Sequence, residues 1–187
     1  MDTTKFIINK IEIPGLLEID ITTIEDARGW FQEKFQKKKL VAAGMPANFS
    51  PVQQNVSYNK DIGVTRGFHA EPWEKFISVI CGKVYGVYVD LRAGANFGKT
   101  VAITVDSSKA VFVPLGVANS FQTLEPNTYY SYLVSAHWSP ESSKQYKSLN
   151  LTEPELNIFW PISLDKAIIS EKDQKNSRLK DVKPFEI

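Results

Sequence analysis

The chain is written in short runs rich in valine, isoleucine, threonine and aromatic residues, each cut off by a turn signal, and this punctuation is what most limits its fold. Ile7 to Ile13 ends at Pro14-Gly15, and Leu17 to Ile24 ends at Asp26-Ala27-Arg28-Gly29. Trp30 to Phe35 follows, and Val52 to Tyr58 and Val64 to Phe68 flank a turn at Asn59-Lys60-Asp61. Phe76 to Cys81, Val84 to Leu91, Lys99 to Val105, Ala110 to Val113 and Thr128 to Val134 continue the series. β-Branched and aromatic side chains suit a pleated, half-buried surface. Many short strands at turn-marked spacing predict an all-β sandwich or barrel rather than alternating βα units. Lys37 to Ala43, stopped by Gly44 and Pro46, is the first helix the pattern predicts, and the polar tail from Ser163 to Arg178 is expected to be helical in part. No repeat and no composition shift divides the chain, so one domain over residues 1–187 is expected.

Bulk properties exclude several function classes. A formal net charge of +1 provides no global field for nucleic acid or an acidic membrane. The basic run Lys37 to Lys39 reads as a solvated face. A single cysteine, Cys81, cannot form an internal disulfide, which fits a reducing compartment, and its apolar run predicts a small core residue. No apolar stretch approaches the ~18 residues of a membrane span, and the charged N-terminus has no signal-peptide centre. A cytoplasmic protein is expected.

The stretch from Thr65 to Arg92 carries the chemistry. His69, one of two histidines, is read there on a turn, six residues before Lys75, which opens a long β-rich run. Histidine can take a proton near neutral pH, and a lysine facing the same space can hold the negative charge left behind. That pairing points to carbon-acid chemistry. Residues two apart on a strand share a face, so Lys75 goes with Ile77 and Val79, and Tyr132 with Tyr130 and Val134. An inward lysine is costly unless it lines a wet or occupied cavity. With only His69 and His137 present, a histidine-rich metal site cannot be built, although carboxylate ligands remain open.

The run from Lys75 to Arg92, KFISVICGKVYGVYVDLR, resembles the strand pair of the dTDP-4-dehydrorhamnose 3,5-epimerases. Asp26-Ala27-Arg28-Gly29-Trp30-Phe31 is similar to that family's D-x-R-G-x-F, Val52 to Ser57 to its V-Q-x-N-x-S, and Arg66-Gly67-Phe68-His69 to its R-G-L-H. Phe97-Gly98-Lys99, Ser139-Pro140-Glu141, Trp160-Pro161 and Ser170-Glu171-Lys172-Asp173 follow in the family's order, so the likeness covers roughly residues 8 to 180. The resemblance implies a cupin-type jelly roll with short peripheral helices, usually a homodimer, acting without a cofactor on a nucleotide-linked 4-keto-6-deoxy sugar. It implies His69 as base, Asp173 as its orienting carboxylate, Lys75 as the cation for an enolate at the C4 oxygen, and Tyr132 as the acid on the opposite face. Arg28 and Arg66 would hold pyrophosphate or sugar, since guanidinium forks match phosphate oxygens. Gln53 and Asn55 would hydrogen-bond the ligand, Phe31 and Glu33 would line the nucleotide end, and Trp138 would stack on the base.

The chain departs from the family twice. Asn119 stands in Pro114 to Phe121 where the family has a histidine near the substrate, and the stretch from His69 to Lys75 is shorter, reading Ala70-Glu71-Pro72-Trp73-Glu74. A C3- or C5-only epimerase and a non-catalytic sugar-nucleotide-binding cupin stay open beside the double epimerase.

Overall fold

The computed structural model describes residues 4–187. Its elements in chain order are β1 (Phe6–Lys10), β2 (Leu17–Ile21), β3 (Thr23–Asp26), β4 (Gly29–Gln32), α1 (Lys37–Ala43), β5 (Gln53–Asn59), β6 (Val64–Ala70), β7 (Lys75–Cys81) and β8 (Lys83–Asp90). There follow β9 (Thr100–Asp106), β10 (Lys109–Val113), β11 (Val117–Thr123), β12 (Thr128–Val134), α2 (Pro140–Ser143), β13 (Lys147–Ser148), β14 (Ile168–Ile169) and α3 (Glu171–Gln174). One sheet has the order β1-β2-β10-β7-β12-β5, the other β13-β6-β11-β8-β9 with β14 against β6, and β3 and β4 form a separate hairpin. This is the all-β sandwich the strand pattern predicts, in the cupin-type jelly-roll form the family resemblance implies.

Alternation along the strands decides where side chains go. Ile77 and Val79 of β7, Val84 and Tyr88 of β8, Val105 of β9 and Phe121 of β11 meet between the sheets. The outer face of the first sheet is covered by α1 and its flanks, with Leu40, Met45 and Phe49 packed on Ile19, Phe76 and Phe112. The outer face of the second sheet is covered by the C-terminal tail, with Leu149, Leu151, Leu156 and Leu179 packed on Phe68, Val87 and Val89. Burying apolar faces on both sides is what joins the tail to the domain.

Four local readings change. β11 is a fully buried strand, VANSFQT, that the sequence does not advertise because Asn119, Ser120, Gln122 and Thr123 are polar. Several of these side chains have partners: Ser120 Oγ donates to Arg66 O (2.7 Å), Gln122 Nε2 to Ile162 O (2.8 Å) and Thr123 Oγ1 to Asp61 O (2.8 Å). Satisfied groups of this kind are tolerated inside. His69 lies within β6, not on a turn. The strand read as Trp30 to Phe35 stops at Gln32. Cys81 is exposed rather than in the core. Tyr129 pairs with Cys81 and Tyr130 with Val79, so the irregularity there leaves Ile80 unopposed and the end of β7 faces out.

Candidate active site

At one end of the inter-sheet space the apolar packing gives way to a cavity of about 190 Å³. That is below the roughly 300–1,000 Å³ of a drug-sized pocket and suits one sugar ring. Both sheets contribute. β6 and β11 bring His69 and Asn119 opposite each other, while β7 supplies Lys75 and β12 supplies Tyr130 and Tyr132.

The histidine is held by a distant piece of chain. His69 Nε2 lies 2.9 Å from Asp173 Oδ1 across 104 residues of sequence. A carboxylate only accepts, so Nε2 carries the hydrogen and Nδ1 keeps the lone pair. Asp173 is buried. It is delivered by α3, whose N-cap Ser170 accepts from the Asp173 N–H through Oγ (3.1 Å). Its second oxygen accepts from Gly67 N–H (3.2 Å). Gly67 has φ +124°, and a Cβ there would come within 2.8 Å of the β11 backbone, so glycine lets β6 approach closely. Burial pushes the Asp173 carboxyl up, but the hydrogen bond and charge of His69, the Gly67 amide and Ser170 outweigh it and hold it below the usual carboxylate range.

On the facing wall Lys75 is 4 % exposed. Its Nζ donates to Asn119 Oδ1 (2.5 Å) and is ion-paired with Glu71. It lies 5.9 Å from the centre of the Tyr132 ring. Burial pushes the Tyr132 phenol up and the Glu71 carboxylate pushes it further, against a smaller opposite pull from Arg66, so the side chain is a protonated acid at rest. Tyr130 is fully buried, stacked on Phe121 with ring centres 4.1 Å apart, and closes the cavity floor.

Of the other sequence candidates, Arg66 and Asn119 line the cavity. Arg66 is steadied by Nε donating to Asn59 Oδ1 (2.9 Å). Gln53 and Asn55 share a strand face with Ser57, which lines the cavity. Gln53 donates to Asn55 Oδ1 (3.0 Å) and accepts from Trp138 N–H (2.9 Å), so these three form one chain along β5. Arg28, Phe31 and Glu33 stand elsewhere: Arg28 pairs with Asp26 at the tip of the β3–β4 hairpin, Phe31 is 62 % exposed on β4, and Glu33 accepts from Lys39 (2.8 Å). Glu71, Ser57, Phe121 and Tyr130 reach the cavity without having been assigned a place in it. Glu71 lies just past the end of β6, where strand alternation no longer applies. Among the described residues no three His, Cys, Asp or Glu side chains gather as a metal-binding group.

Several recognisable motifs turn out to be scaffold. In the V-D-L-R segment, Arg92 grips buried Asp90 through two nitrogens (2.8 and 2.5 Å) and reaches Pro14 O (2.9 Å). Trp160 packs on Phe68 and Tyr85 and donates to Leu151 O (3.3 Å). Ser139 caps α2 in a reciprocal pair with Ser142.

A family model described as dTDP-4-dehydrorhamnose 3,5-epimerase matches residues 10–181. A protein of Streptococcus pyogenes named RmlC homolog is 47% identical over 178 residues, covering 93% of this chain and 89% of its own. A dTDP-4-dehydrorhamnose 3,5-epimerase of Sinorhizobium fredii is 34% identical, covering 82% of this chain and 80% of its own. The structure of RmlC from Streptococcus suis in complex with dTDP-D-xylose superposes with a TM-score of 0.92 at 46% identity, covering 97% of this chain and 95% of its own.

Proposed function

The chain belongs to the dTDP-4-dehydrorhamnose 3,5-epimerase family, an isomerase of the dTDP-rhamnose pathway acting on a dTDP-linked 4-keto-6-deoxyhexose, and we propose that His69, Lys75 and Tyr132 carry its chemistry. A C–H beside a ketone is too weak an acid to ionise unaided, so a placed base and a cation for the enolate oxygen are both required. In this reading Nδ1 of His69 takes the proton from C3 or C5, and the electron pair moves onto the C4 oxygen. Asp173 holds the imidazole in the productive tautomer and balances the imidazolium. The Lys75 ammonium holds the enolate. Tyr132 gives its phenolic proton to the opposite face of the same carbon, which inverts it, and solvent exchange restores both groups.

The observation that carries this reading is the arrangement of a carboxylate-bound imidazole on one sheet facing an ammonium and a phenol on the other, across a space the size of one hexose. Arg66 and Asn119 are proposed to contact the sugar and its phosphate, and Gln53, Asn55 and Trp138 the nucleotide beyond the mouth. Arg28, Phe31 and Glu33 lie away from this cavity, so the same reading needs a homodimer that brings the β3–β4 hairpin over a neighbour's site. Exposed Trp30, Phe31, Val56, Tyr58 and Tyr129 supply apolar surface for it. No helix among the described residues is long and apolar enough to cross a membrane, and a cytoplasmic location belongs to the same proposal.

The test is isotope exchange. Incubation with dTDP-4-keto-6-deoxyglucose in deuterated water, followed by NMR, should place label at both C3 and C5. Label at one carbon makes the protein a mono-epimerase, and none defeats the reading. Tyr132→Phe should slow inversion more than exchange, because the first proton can still leave; equal losses would remove Tyr132 from the acid role.

A further inference from the structure

The ammonium of Lys75 is not free to choose its position. It has three N–H bonds, and among the described residues Asn119 and Glu71 are its polar partners. With one donor committed to the Asn119 amide oxygen and the Glu71 carboxylate beside the ammonium as its counter-charge, the side of the ammonium turned to the cavity is left for a ligand. Glu71 is as enclosed as the lysine it holds: the side chains are 10% and 5% exposed. It is carried on the short segment between β6 and β7, two residues past His69, so the segment that follows the base in the chain places the counter-charge. Pro72 follows it, and Trp73, buried and edge-on to Tyr146 at 5.4 Å, pins the segment down.

We propose that Glu71 is a positioning residue for the epimerisation: its carboxylate, with the Asn119 amide oxygen, fixes the Lys75 ammonium so that an N–H turned to the cavity marks where the C4 oxygen of the sugar must sit. This rests on the enolate role given to Lys75 above. A buried lysine with a single neutral acceptor would have room to swing and little reason to stay charged, since removing one member of a buried pair leaves the other uncompensated. Near-attack geometry is sensitive to such freedom, and a misplacement of about 1 Å can cost about 100-fold in rate. The carboxylate has a second consequence on the same wall. It faces Tyr130 and Tyr132, and its charge adds to burial in keeping both phenols protonated. Arg66 opposes it at Tyr132, Asn119 at Tyr130, while Tyr88 and Tyr132 add to it at Tyr130, and the same carboxylate adds to burial in raising Tyr146.

The test uses Glu71→Gln, which keeps an acceptor and removes the charge, and Glu71→Ala, which removes both. Turnover of the 4-keto sugar should fall in the order wild type, Gln, Ala, by about 10-fold and about 100-fold, with KM within about twofold, the signature of an interaction used in the transition state. Tyrosinate absorbance should also appear at lower pH in both variants. In a Lys75→Met background, Glu71→Gln should leave the residual deuterium exchange unchanged within about twofold, because a residue acting through Lys75 has nothing left to position. Turnover within twofold of wild type in both variants, a loss confined to KM, or an equal loss with and without Lys75 would overturn the proposal. If the wild-type protein exchanges no deuterium at all, the enzymatic reading fails first; the tyrosine titration still reports whether Glu71 faces the phenols.

Discussion

The two ends of the space between the sheets are built by the same strands and obey different rules. β7 gives Ile77 and Val79 to the apolar end and Lys75 to the cavity, and β11 gives Asn119 to the cavity and Phe121 to the boundary. At the apolar end burial is enough, since removing apolar surface from water is favourable without a specific partner. At the cavity end three charged or titratable groups carried by the sheets are matched by partners from outside their strands. His69 leans on Asp173 from α3, Lys75 on Glu71 from the β6–β7 turn, and Arg66 on Asn59 at the end of β5. The sheets hold the groups proposed to react, and the β6–β7 turn and α3 hold the partners of Lys75 and His69.

Substitutions at the two ends should separate chemistry from stability. The largest effect is expected at His69→Ala, where loss of a general base should lower kcat by about 1,000-fold and abolish deuterium exchange at both carbons, with a smaller drop in melting temperature that comes from leaving the buried Asp173 carboxylate without its partner. Exchange at the wild-type rate would remove His69 from the base role. Ile77→Ala, next along the same wall and fully buried, should do the reverse. Deleting a buried isoleucine costs about 2–5 kcal/mol, read as a melting point lower by about 10 °C, while turnover measured well below that melting point stays within a few-fold. A kinetic loss as large as that of His69→Ala would mean that the apolar plug belongs to the site and that the division drawn here is wrong.

Much of this division was legible in the residue order. Alternation put Lys75 on the face of Ile77 and Val79, and Tyr132 on the face of Tyr130 and Val134, and the structure brings Lys75, Tyr130 and Tyr132 to one cavity. The strand pattern gave the sandwich and the Lys37–Ala43 helix. β11 escaped because its polar residues hydrogen-bond to main chain and side chains supplied by β6 and by distant loops, and such partners leave no local trace. Glu71 escaped because a turn residue beside a proline looks solvated until the turn folds back over the lysine. The His69–Asp173 contact spans the domain, so only resemblance to a family could propose it. The same resemblance proposed roles for Arg28, Phe31 and Glu33, which a single copy of the chain keeps away from the cavity.

The smallest expected effect is the sharpest test of how the tail serves the site. Asp173 is held charged in the folded protein, with its carboxyl below the ordinary range chiefly through His69 against the cost of burial. An aspartate in an unfolded chain titrates near about 3.9. A carboxyl depressed on folding contributes stability that is fully present above that unfolded value and disappears as pH falls through the folded one. Asp173→Asn should therefore melt below wild type at pH 6, and the gap should begin to narrow as both proteins are taken below about pH 4 and shrink further with each step down. A gap that stays constant across those steps would mean that Asp173 contributes shape rather than charge. The imidazole would then be oriented by packing of α3 alone, and the cavity end would follow the same rule as the apolar one.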